Sequence, residues 1–405
     1  MNIYYHTLSN GLRLVHVMTT NQVAWCGLAI NAGSRDERDG QYGLAHFVEH
    51  TIFKGTEHRR AWHILNRMER VGGELNAYTT KEGTMIYSVF PHQHLGRAID
   101  LLADLVQWSV FPQEELDRER DVVLEEAASY RDTPSDAVYD DFEDLLLAGS
   151  ELGHNILGRK DDLERLTRED CMRYLKALYV PANMAFFSVG PERADRVFRL
   201  AEKCFGGMSH AMASRHRSEP QEVEPFRRVV SIGTHQAHTI VGARVPSMSH
   251  PLRYALMLLN NILGGPGMNS LLNVELRERR GYVYTVESSL SMLSDCGWME
   301  IYLGCDPDDV RSSLRVIERI TGKLGQELLP ERRLEAYKKQ YCGQLVVAAD
   351  STEFMAMRAG RGLLYHGRVA TIDETIARIM AVTAEQVAQA AAFLKSDRLS
   401  SFTFQ

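Results

Sequence analysis

Two histidines four residues apart, with a carboxylate immediately before the second, are the residues of this chain best suited to do chemistry. They lie in Gly43-Leu44-Ala45-His46-Phe47-Val48-Glu49-His50. On an α-helix, positions i and i+4 share a face, so His46 and His50 can hold one ion between them. Glu49 leans towards the same ion from nearly one turn beyond His46. Two nitrogen ligands, plus a carboxylate able to take a proton from metal-bound water, are what zinc hydrolysis requires. The order His-x-x-Glu-His inverts the commoner His-Glu-x-x-His. Such a short pattern also arises by chance. The competing reading is a polar helix face whose histidines touch only water and neighbours.

A zinc site of this kind needs a third protein ligand and an open position. The candidate lies in the run from Pro112 to Tyr130, which is rich in helix formers, opens on Pro and ends before Asp132-Thr133-Pro134. Glu119 and Glu126 are two turns apart on one face of that helix. Glu126 could ligate the ion while Glu119 accepts the other ring proton of a ligating histidine. Glu114, Glu115 and Glu125 fit an ordinary acidic surface. Spacing alone does not choose Glu126 over Glu125.

Several segments resemble the pitrilysin/insulinase family of inverzincin metallopeptidases, in the branch of mitochondrial processing peptidase and its bacterial relatives. They are Gly43 to Thr56 (GLAHFVEHTIFKGT), Gly73-Glu74-Leu75-Asn76-Ala77-Tyr78-Thr79 and Glu119 to Glu126. The similarity continues through Tyr179 to Ala185 (YVPANMA) and Leu276 to Tyr284 (LRERRGYVY). The resemblance implies one zinc ion per chain, with His46, His50 and Glu126 as ligands. It further implies Glu49 as general base and Glu119 as the support behind a ligand.

The elements that must position these residues follow from length and pattern. A chain of 405 residues exceeds one ordinary core and suggests at least two domains. Residues 1–206 alternate strand-like and helical segments. A hairpin turns at Asn10-Gly11, and Val23 to Ala32 is a strand. Gly43 to Gly55 is the motif helix with its exit, and Trp62 to Val71 a second helix. Leu75 to Tyr78 pairs with Met85 to Phe90; His94 to Val110 and Gln113 to Tyr130 are long helices. Residues 207–225 have little periodicity and read as an interdomain linker. In 226–405 the order of elements recurs, as in a diverged duplication. This second copy lacks the motif and carries an apolar helix from Tyr254 in its place. The expected fold is therefore α+β: two similar domains, each an antiparallel-rich mixed sheet with helices packed on one face. The resemblance implies the same.

The second domain has its own candidates. Arg277 and Tyr284 sit seven residues apart, and the resemblance directs them at substrate, where either can donate to the oxyanion of a tetrahedral intermediate. In this branch two chains close like a clam, which implies a homodimer, or a heterodimer with a homologous subunit, and Arg277 and Tyr284 acting in trans. The loop Gly264-Gly265-Pro266-Gly267 resembles a flexible loop near the chamber mouth, although a simple turn before an Asn269 or Ser270 cap explains it equally. Asn76 and Ala77 lie on a strand that the family uses to bind peptide by strand addition.

Bulk properties exclude other classes. The composition, 44% hydrophobic and 24% charged, is that of a globular protein, and the net charge of -7 argues against a nucleic-acid partner. No apolar run reaches membrane-spanning length. Six scattered cysteines read as thiols of a reducing compartment. With no apolar signal core or Arg/Ser-rich presequence at the start, the expectation is a cytoplasmic bacterial protein, and a mature organellar form would look alike. The expected activity is a zinc-dependent endopeptidase acting on peptides or unfolded segments inside a closed chamber. Two alternatives compete: a non-catalytic peptide-binding chamber subunit that needs an active partner, and a small-molecule metallohydrolase, which would not need residues 207–405.

Overall fold

The computed structural model describes residues 2–405. The Asn10-Gly11 turn forms as the sequence suggests. Gly11, at φ +91°, lets β1 (Asn2–Thr7) fold back on β2 (Arg13–Met18), with Thr7 opposite Arg13. With β3 (Val23–Ile30), β4 (Glu74–Thr79), β5 (Thr84–Pro91) and β6 (Met184–Gly190), they make a six-stranded sheet in the order β1-β2-β6-β3-β5-β4. A second sheet contains β7 (Arg227–Val230), β8 (Ala237–Val245), β9 (Val283–Met292), β10 (Gly297–Cys305) and β11 (Ser400–Phe404), in the order β7-β11-β8-β10-β9. The expected α+β, antiparallel-rich architecture is what forms. Laying β2-β6-β3-β5-β4 over β7-β11-β8-β10-β9 gives the same succession in both: one parallel pair, then three antiparallel ones. The recurrence is thus a recurrence of topology.

The two compact units do not follow a single cut in the sequence. The first runs to Ala128 and adds 155–217 and 348–370; the second takes 129–154, 218–347 and 371–405. The reason lies in the sheets. The strand β6 (MAFFSVG) is buried throughout, so its sheet needs cover on both faces. One face of the first sheet carries most of the helices, including His46's, over a core of Leu28, Phe47, Ile86 and Phe186. The other is covered by the helix Thr352–His366, whose Ala356, Ala359 and Leu363 pack on Val15, Met85 and Phe187. Gly360 allows that approach: a Cβ there would come within 2.8 Å of Met85 and Phe187. The second sheet is treated alike, with the helix Pro134–Leu146 setting Ala137, Val138 and Phe142 against Trp298 and Phe402. To the expected one-sided packing, each unit therefore adds one helix on the second face, taken from the other half of the sequence. No helix among the described residues is long and apolar enough to cross a membrane.

The stretch expected as a linker, 207–225, has no helix or strand, yet its first part is fastened to the first unit. Arg217 donates to both oxygens of Asp36, at 2.9 and 2.6 Å, and stands 3.5 Å from Glu82, which also pairs with the buried Arg35. The Asp36 and Glu82 side chains are 1% and 2% exposed, so Arg217 compensates charge that water cannot reach. Arg217→Met is expected to destabilise the first unit by about 3–5 kcal/mol. Urea unfolding with a probe in that unit tests this, and an unchanged midpoint would show the anchor to be idle.

Candidate metal centre

The motif helix, Leu44–Thr51, begins where Gly43 and Gly158 cross closely, both at positive φ. A Cβ on Gly43 would lie 2.8 Å from the Leu157 carbonyl oxygen, so only glycine fits. Gly43 has no side chain to cap the helix, and Glu37 does so from six residues upstream. Its carboxylate accepts the Gly43 N–H at 2.9 Å and the Ala45 N–H at 2.7 Å, placing negative charge at the positive end of the helix dipole. Leu44, Ala45, Phe47 and Val48 are buried in the core, which fixes the helix's rotation and hence where His46 and His50 lie.

Against them stands the helix Gln113–Arg131, anchored by the buried Leu116 and Val123. It brings Glu126 to the histidines and leaves Glu125 exposed, a choice that spacing alone left open. One ligand atom each from His46, His50 and Glu126 can be chosen so that all lie within 4.8 Å of one another. Glu126 Oε2 is 3.8 Å from His46 Nε2 and 3.4 Å from His50 Nε2. Atoms arranged tetrahedrally around zinc at about 2 Å stand roughly 3.3 Å apart, so the donor set fits that ion. Burial, and secondarily His50, pull the His46 pKa down to about 4, which keeps its imidazole neutral and able to ligate. Its Nδ1 is buried without a hydrogen-bond partner. His50 is held differently: its Nδ1 is 3.2 Å from Glu119 Oε1, and Lys54 Nζ is 2.6 Å from Glu119 Oε2.

Glu49 is half-buried beside the histidines. Burial raises its carboxyl pKa, with Thr79 at the end of β4 and the neighbouring His50 pulling the other way. The motif helix packs against β4, an edge of its sheet, so one side of that strand's backbone is left unpaired within the sheet. Asn76, opposite Tyr87, is exposed on this strand, and Ala77, opposite Ile86, is partly buried. Arg277 and Tyr284 belong to the second unit, and both are exposed. Arg277 sits in a π-helical stretch, Asn273–Glu278, and Tyr284 near the start of β9. Gly264 closes the helix Arg253–Gly264, and residues 265–269 form the irregular segment after it. The structure thus gathers His46, Glu49, His50, Glu119 and Glu126 in one unit, with Asn76 and Ala77 on the strand beside the motif helix.

Sequence reasoning assigned no role to Glu37 or Lys54. The signal for Glu37 was a carboxylate shortly before a helix that starts on glycine. Lys54 gave none beyond its place after the motif helix.

Comparison with known proteins places the chain in a family. Residues 13–160 match the family model for insulinase (peptidase family M16), and residues 165–341 match that for the M16 peptidase inactive domain. The chain belongs to the M16 (insulinase) peptidase family. An uncharacterized zinc protease of Bacillus subtilis is 33% identical over 384 residues, covering 94% of this chain and 93% of its own length. One from Streptomyces coelicolor is 33% identical over 389 residues, 94% of this chain and 84% of its own. The bovine mitochondrial-processing peptidase subunit beta is 29% identical over 391 residues, 93% of this chain and 79% of its own. The crystal structure of a Helicobacter pylori protease superposes with a TM-score of 0.93 over 100% of this chain and 99% of that one. At 22% identity, this likeness speaks for the fold.

For an M16 family member whose metal helix is capped from outside, Glu37→Gln replaces an acceptor by a donor facing a helix amide. It is expected to cost about 1–2 kcal/mol. Thermal unfolding of chelator-treated protein measures this, and a midpoint equal to wild type would show that Glu37 does not hold the helix.

Proposed function

We propose that this chain is a zinc-dependent endopeptidase cleaving extended peptides or unfolded segments. The observation that carries the reading is the convergence of His46, His50 and Glu126, with Glu119 behind His50. The relatives named zinc proteases support it. Zinc, when bound, supplies Lewis acidity, making water more acidic and a peptide carbonyl more electrophilic.

The chain's own residues do the rest. His46 and His50 present neutral nitrogens; the Nδ1–H of His50 donates to Glu119, leaving Nε2 as its free lone pair. A carboxylate oxygen of Glu49 takes a proton from the attacking water and returns it to the leaving amine nitrogen. The partly buried position of Glu49 suits this, because it raises the carboxylate's affinity for the proton. The open edge of β4 receives the peptide as an added strand at Asn76 and Ala77, so backbone hydrogen bonds bind it with little sequence demand.

Arg277 and Tyr284 donate to the oxyanion, supplied in trans by a second chain, either another copy or a homologous subunit. The bovine relative is itself named as a subunit. Closure of two chains into a chamber limits substrates by size. The setting is the bacterial cytoplasm, in line with the bacterial relatives.

Purified protein is expected to carry zinc and to cleave a fluorogenic peptide. Chelation or His46→Ala abolishes both, while Glu49→Gln keeps the metal and lowers kcat by roughly 10²–10⁴. Turnover that survives chelation would overturn the zinc mechanism. Mixing His46→Ala with Arg277→Ala chains is expected to restore activity above either alone. A mixture no better than its parents would rule out the trans arrangement.

A further inference from the structure

The Glu119 carboxylate is held at both ends. One oxygen faces His50 Nδ1 at 3.2 Å, and the other faces Lys54 Nζ at 2.6 Å. Lys54 closes the 3₁₀ turn Ile52–Lys54 that follows the motif helix directly, whereas Glu119 is 65 positions further along the chain. The ammonium therefore ties the exit of the metal helix to the helix that carries Glu126. Glu119 is 8% exposed, so water contributes little to stabilising its charge.

We infer that Lys54 is a positioning residue for the metal: it fixes Glu119 as the acceptor for His50 Nδ1–H and so keeps His50 Nε2 aimed at the ion. Three physical points carry this. A carboxylate with one partner can rotate, and rotation costs the hydrogen bond to His50. A charge-assisted contact at 2.6 Å is of the strong kind and opposes that rotation. Finally, the other histidine has no equivalent support, because His46 Nδ1 is buried without a partner. Ordering of the histidine pair thus runs through His50, Glu119 and Lys54. The inference rests on the zinc reading above and extends it to a residue that touches neither metal nor substrate.

The test is zinc affinity of the full-length protein, measured by competition with a chromophoric chelator. The thermal midpoint of the metal-free form is measured alongside. Lys54→Met keeps the length of the side chain and removes its charge. It is expected to weaken zinc binding by about 10- to 100-fold, as loss of such outer partners does, with the metal-free midpoint close to wild type. Lys54→Arg is expected to recover most of that loss. In a Glu119→Gln background, Lys54→Met is expected to add nothing, because the chain is already cut. Wild-type zinc affinity in Lys54→Met, or the same loss with Glu119 already replaced, overturns the inference. Should Lys54→Met fail to fold, Lys54→Gln is measured in its place against the same two outcomes. If wild type itself binds no zinc, the metal reading falls and the inference falls with it; wild-type binding with an indifferent Lys54 removes the inference alone.

Discussion

Charge crowding is the constraint on which this site depends. Glu49, Glu119 and Glu126 meet around two imidazoles, one of them held neutral by burial. Carboxylates brought together in a half-buried place repel one another, and some must be neutralised or given a cation. The structure sorts them. Glu119 goes to Lys54 and His50. Glu49 is half-buried beside Thr79, where its carboxyl gains affinity for a proton. Glu126 faces imidazole nitrogens, with its side chain still 37% exposed. An arrangement with two lone pairs and one carboxylate pointing at a common place is completed by a cation. Under the proposed mechanism, the same sorting keeps Glu49 free to handle protons.

The scaffold makes that crowding affordable by tying each charged group to a buried apolar one. A helix of eight residues is too short to be stable alone. Leu44, Phe47 and Val48 hold it from below, and Glu37 holds its first turn. On the partner helix, Leu116, Glu119, Val123 and Glu126 fall along one stripe, with successive spacings of three, four and three. Core anchors and site carboxylates therefore alternate on a single face. Any shift of that helix moves Glu119 and Glu126 together, so the pairing with Lys54 and the approach to the histidines are set by one packing event.

What could be read from sequence was whatever depends on neighbours along the chain. The i, i+4 histidines, the seven-residue spacing of Glu119 and Glu126, the Asn10-Gly11 turn and the strand patterns all carry their meaning within a few residues. What could not be read depends on long-range contact. Lys54 is an ordinary charged residue until folding brings it to Glu119. The helices Pro134–Leu146 and Thr352–His366 have the apolar stripe of any amphipathic helix, and nothing local says that each will cover a sheet built by the other half of the sequence. Glu126 against Glu125 was a matter of a 100° rotation. Only the burial of Leu116 and Val123 fixes it physically.

The duplication explains why one unit can be so polar. Both sheets share their order and strand directions, so the positions around the motif helix have counterparts in the second unit. There the corresponding helix, Arg253–Gly264, carries no His-x-x-Glu-His and buries Leu256, Leu259, Ile262 and Leu263. Buried polar groups that await a metal cost stability until the ion arrives, and leucines in the same fold carry no such cost. A copy relieved of the metal site is under no demand to crowd carboxylates. It can instead present Arg277 and Tyr284, both exposed, as hydrogen-bond donors from firm structure. Under the proposed mechanism, losing the motif in one copy is a division of labour: one unit holds negative charge around a cation, while the other supplies donors for the negative charge that the reaction creates.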